Sequence, residues 1–109
     1  MHDRRKSMVR NLAQLKRSLV KGAEFEIVAH ARQGCVGQRR RVNATDTTGF
    51  YSIIPDKPDS RETLANNGKG SYLGWGKASF WKFESGICTL YDSDRSFTPE
   101  HIIISLKVV

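Results

Sequence analysis

The side chains best suited to chemistry are three histidines, two cysteines, one close pair of acids and a run of arginines. His2, His30 and His101 are scattered, and no spacing between them matches a metal-ligand pattern. Cys35 sits in the glycine-flanked turn Gly34-Cys35-Val36-Gly37, with Arg32 and Arg39 close in sequence. Cationic neighbours favour the reactive thiolate. A catalytic cysteine also needs a base and an oxyanion site, and the sequence names neither. Cys35 therefore reads as a turn residue, and Cys88, between Ile87 and Thr89, as core. The acid pair Asp92 and Asp94 lacks the further ligands and the glycine offset of a calcium loop. The segment from Gly70 to Lys77 hints at a phosphate loop, but its spacing is one residue too long and Ala78 replaces the Ser or Thr. The chain is thus expected not to be an enzyme, and to need neither metal nor cofactor.

What remains is recognition chemistry. Arg39, Arg40 and Arg41 precede Val42, Asn43 and Ala44 in a stretch with strand character. The planar guanidinium fork matches two phosphate oxygens. Val42 and Ala44 share one face of such a strand, so Arg39, Arg41 and Asn43 take the other, and Arg40 lies opposite them. Farther on, Lys69, Tyr72, Trp75 and Lys77 mix cations with aromatics in a glycine-rich segment. That composition suits a stacking platform for single-stranded nucleic acid.

The charge distribution points the same way. The 109 residues carry a formal net charge of +7. Residues 1–41 hold eleven Lys and Arg against three acids, whereas residues 42–109 hold seven against eight. A basic face on one domain suits a polyanionic partner, with RNA or single-stranded DNA favoured, alone or within a nucleoprotein complex.

These residues need elements to hold them. Residues 1–6 read as a basic tail and 7–109 as one domain. Ser7 or Asn11 can cap a helix over 7–21, because Met8, Leu12, Leu15 and Leu19 recur on one face. Arg10, Arg17 and Lys21 then form a basic stripe on the opposite face. Gly22 stands where a helix stops. Alternation predicts strands over 24–31, 38–45, 50–54, 79–84, 87–91 and 102–109, with 56–77 as a long loop. The expected fold is α+β: an N-terminal helix on a small, strongly bent antiparallel sheet, or a partly open SH3-like or OB-like barrel, of about six strands.

No apolar run reaches the roughly 18 residues of a membrane-spanning helix. The charged N-terminal stretch has no apolar core of a signal peptide, and no cysteine framework is present. A cytoplasmic monomer or weak dimer with free thiols and no membrane partner is expected.

The run EIVAHARQGCVGQRRRVNATDTTGFYSIIPD (Glu26–Asp56), together with SYLGWGKASFWKF, resembles small proteins of gut-bacterial phages and integrative elements. That class includes anti-CRISPR proteins. The resemblance implies a mobile-element protein, and as an alternative function the inhibition of a bacterial defence nuclease. Many such inhibitors are acidic mimics of DNA. A basic chain would instead grip bound nucleic acid or an acidic patch of the nuclease.

Overall fold

A computed structural model describes residues 8–109. The expected tail over 1–6, with His2, and Ser7 as a helix cap lie outside the described residues. Helix α1 runs over Leu12–Ser18 and is shorter than the expected 7–21. Asn11 is the cap: its side chain accepts from the Gln14 amide at 2.8 Å. The far end is set by tertiary pairing. Gly22 donates to the Val42 carbonyl, and Val42 donates to the Ala23 carbonyl, both at 2.8 Å. Backbone engaged with a strand at 22–23 cannot continue a helix. At the other end, residues 8–10 are not helical, so Met8 loses its helical register and is exposed while Val9 is buried. Leu12, Leu15 and Leu19 are buried and belong to the main hydrophobic cluster.

Seven strands follow: β1 (Glu24–His30), β2 (Arg39–Thr45), β3 (Gly49–Ile53), β4 (Ser71–Gly74), β5 (Trp81–Glu84), β6 (Ile87–Tyr91) and β7 (Ile102–Val108). They form one antiparallel sheet in the order β4-β3-β2-β1-β7-β6-β5. The sheet is not closed: β4 and β5 are its edges and do not pair. It is nonetheless strongly curved. Ser71 and Leu73 of β4 line the same cavity as Ile103 and Ile104 of β7, although three strands separate them in the sheet. The connection from β4 to β5 is tied down where the Trp81 indole N–H donates to the Trp75 carbonyl at 2.7 Å.

The expected loop over 56–77 is a correction. It contains a short helix α2 (Arg61–Leu64), capped by Ser60, and the whole of β4. Its strand character comes from its partner, since Tyr51 and Ser52 pair with Tyr72 and Ser71. Gly70 makes the approach possible. It has φ +113°, and a Cβ there would collide with the Ser52 carbonyl.

Candidate functional site

Strand β2 presents arginines to both sides of the sheet. Arg39 and Arg41 are exposed, whereas Arg40 and Val42 are buried. The alternation follows from the pleat, because Val42 belongs to the same cluster as Phe25 and Ile27.

On the outward face, Arg39 and Arg41 share one carboxylate. Arg41 donates to Glu24 Oε2 through Nε at 3.2 Å and through Nη2 at 3.0 Å. Arg39 Nη1 lies 3.5 Å from Glu24 Oε1. Two cations on one anion leave a net positive charge at this point. Across the sheet, Arg41 pairs in register with Ile53, and Tyr51, two residues before Ile53, pairs with Tyr72. Tyr51 therefore shares Arg41's face, about 7 Å along the strand from Ile53. The Tyr51 and Tyr72 rings stand 4.9 Å apart. Lys69 places its ammonium 5.5 Å from the Tyr51 ring centre.

Tyr72 is 42% exposed and held in place. Its hydroxyl bonds to Thr48 Oγ1, which donates to Asp46 Oδ1 at 2.9 Å. Asp46 also accepts the Thr48 and Gly49 amides. The Thr48 side-chain and backbone hydrogen bonds, with that of Gly49, hold its carboxyl below the usual range.

Several expected site residues are elsewhere. Trp75 is core, not surface: it is 5% exposed and its ring lies 5.0 Å from that of Phe50. Asn43 is committed to structure. Its amide donates to the carbonyls of Gly68 at 3.4 Å and Lys69 at 3.0 Å, tying the approach to β4 onto β2. Lys77 is exposed but lines a separate apolar groove with Phe80 and Tyr91. Arg10 and Arg17 are exposed on or next to α1, whose leucines join the buried side of the sheet. That side is opposite Arg39 and Arg41. Lys21 has left the helix and sits in the turn that leads to β1. The basic residues therefore stem from both sides of the sheet, and the helix stripe does not continue the strand face.

The inward arginine was not anticipated as a site residue. Arg40 is 4% exposed. Its Nε and Nη2 donate to Gln38 Oε1 at 3.0 and 2.7 Å, Nη1 to Ser52 Oγ at 3.3 Å, and Nη2 to Cys35 Sγ at 3.8 Å. Among the described residues no carboxylate lies within 4 Å of it. Burial lowers its pKa, opposed first by Cys35 and then by Glu62 from longer range. Cys35, far from being an accessible nucleophile, is buried beneath this guanidinium. Arg40 faces a cavity of about 260 Å³ that Arg32 and His30 also line. Burial, then Arg32 and Arg40, hold the His30 pKa below its ordinary value. The signal for an inward Arg40 was present in its register with Val42. The partners that make it a site come from elsewhere in the fold: Ser52 from β3, His30 from β1, and Cys35 and Gln38 from the turn that leads into β2.

Among the described residues no group of three His, Cys, Asp or Glu side chains could hold a metal ion. His101 instead pairs with Asp92, Nδ1 to Oδ1 at 2.7 Å. No described helix is long and apolar enough to cross a membrane. Comparison of the chain with protein-family models, with curated proteins and with solved structures finds no match.

Proposed function

We propose that this protein is a non-catalytic binding module that docks its outward sheet face on single-stranded nucleic acid, alone or within a nucleoprotein complex. The observation that carries the reading is the row Arg39, Arg41, Tyr51, Tyr72 and Lys69 on one side of β2, β3 and β4. Cations track a phosphate backbone, and an anchored tyrosine offers a ring on which any base stacks. A curved, open antiparallel sheet of this size is also the kind of scaffold that OB-like modules use for single strands, although fold alone assigns no function. The roles follow from exposure. Arg39, Arg41 and Lys69 contact phosphates, and Tyr72 takes a base. Tyr51, its cross-strand neighbour, packs against the Tyr72 ring.

Fluorescence anisotropy with labelled oligo(U) and oligo(dT) of about 12 nucleotides, a length within the site size of such sheets, tests this. Binding should fall with salt, and three phosphate contacts correspond to a log–log slope of about −2 on single strands. Tyr72→Ala should weaken binding by about 1–3 kcal/mol. If neither oligonucleotide binds at low salt, the outward arginines face an acidic protein surface and the inhibitor reading takes precedence.

A further inference from the structure

The polar lining of the cavity on the inward face is rich in hydrogen-bond donors, with the Ser71 and Tyr72 hydroxyls as groups that can also accept. Arg40 has five N–H groups. Gln38 and Ser52 accept three of them and the Cys35 sulfur a fourth, weakly. One N–H on Nη1 is left without an acceptor among the described residues. Ser52, having accepted from Arg40, keeps its own O–H to give. His30 Nδ1 accepts the Arg32 amide at 2.9 Å, so the neutral ring carries its proton on Nε2, a further donor. Arg32 adds a second guanidinium, and among the described residues no acidic one lines the cavity. The rest of the wall is apolar, with Phe25, Phe50 and Ile104.

A buried cation with no carboxylate beside it among the described residues is costly. A hydrophobic side chain in its place would serve the core at least as well. Donors in excess and two guanidiniums, with no carboxylate among the described lining residues, select an anion. The apolar wall selects a body attached to it. The volume of about 260 Å³ falls just below the usual range for drug-sized ligands, so the occupant is small.

We propose that this cavity binds a small organic anion, a carboxylate or phosphate carried on an aromatic or aliphatic body, with Arg40 as the anchor of the charged group. The anchoring charges of the two sites are separate, because Arg40 and Arg41 point to opposite sides of β2, although Tyr72 of the oligonucleotide face also lines the cavity.

The test is a titration of the full-length, ¹⁵N-labelled protein with benzoate, phenyl phosphate, inorganic phosphate and benzylamine, followed by amide shifts. Benzoate or phenyl phosphate should move the amides of Arg40, Ser52 and Ile104. Benzylamine, equal in body but opposite in charge, should leave them in place, and inorganic phosphate should bind more weakly. Which of the two organic anions binds better distinguishes a planar from a tetrahedral head. Arg40→Met should weaken binding at least about tenfold, the loss of one charge-assisted hydrogen bond, while leaving oligonucleotide binding unchanged. Should Arg40→Met not fold, Arg32→Gln, at an exposed position, should still weaken the organic anion several-fold. The proposal is overturned if no probe moves these amides at about 10 mM, an upper bound for weak specific binding. Equal shifts with benzylamine, or wild-type affinity in Arg32→Gln and in a folded Arg40→Met, would overturn it as well.

Discussion

Glu24 is the residue whose loss should improve oligonucleotide binding. Its carboxylate occupies the forks of Arg39 and Arg41, at 3.5 Å and 3.0 Å. A phosphate that docks on either arginine must displace it or share it. Both arginines are about half exposed, so each pair contributes only about 0.2–1 kcal/mol after screening. Removing the competition at both forks should therefore tighten binding by about 0.4–2 kcal/mol, a factor of about 2 to 30 at low salt. Glu24→Gln keeps the shape and the strand register, so fold stability should fall by no more than the same small amount. Anisotropy with oligo(U) across about 50–200 mM salt, the range over which phosphate contacts are most sensitive, reads the effect. The gain should shrink as salt rises, because the pairs lie on a screened surface. Unchanged or weaker binding at low salt would refute the assignment of Arg39 and Arg41 as phosphate contacts. Stronger binding that persists undiminished at high salt would show that the gain is not electrostatic.

Three further outcomes follow from burial. Leu15, with no exposed surface and a place in the main cluster, should lose about 2–5 kcal/mol on change to Ala, read by urea unfolding. Trp75→Ala should cost about 3–5 kcal/mol, whereas Tyr72→Ala should cost about 1 kcal/mol, the net worth of its bond to Thr48. Equal losses would mean that Tyr72 is part of the core. Burial pushes the Cys88 thiol up to about 11 from 9.0. The unfolded chain then loses this proton first, so the stabilisation is complete below pH 9 and is lost as pH rises toward 11. The loss is on the order of 2 kcal/mol. Cys88→Ala should unfold with a shallower decline over that window, as followed by circular dichroism.

How much of this was legible in the sequence depends on the range of the interaction. The pleat has period 2, so the outward placement of Arg39 and Arg41 and the inward placement of Arg40 could both be read from Val42. The capping by Asn11 was legible for the same local reason. The end of α1 was not, because it is set by Gly22 and Ala23 meeting Val42 about twenty residues later. Strand β4 was missed because four residues that follow one glycine, Gly70, and end in another, Gly74, carry no period. Its conformation is imposed by β3. Trp75 was misplaced with it: a tryptophan in a glycine-rich run looks like a surface anchor until the curved edge brings it to Phe50. Asn43 has a side chain suited to contact a ligand, but carbonyls 25 and 26 residues away claim it first.

One strand, with arginines facing opposite ways, puts the same group into two dielectric regimes, and salt should separate their roles. Arg39 and Arg41 sit in water, where the Debye length is about 10 Å at 0.1 M salt. Whatever they bind, they bind through many weak, screened contacts, so affinity depends steeply on ionic strength. Arg40 is enclosed by Gln38, Ser52 and Cys35, and a charge there is screened far less. An anion that reaches it is held by direction and desolvation, not by a diffuse field. Raising salt from about 50 to 200 mM should therefore cost oligo(U) about 2 × log 4, or more than tenfold, for the three contacts proposed. Benzoate or phenyl phosphate in the cavity should lose well under half of that on the logarithmic scale. Parallel losses for the two ligands would place both on the outward face and remove the case for a separate inward site.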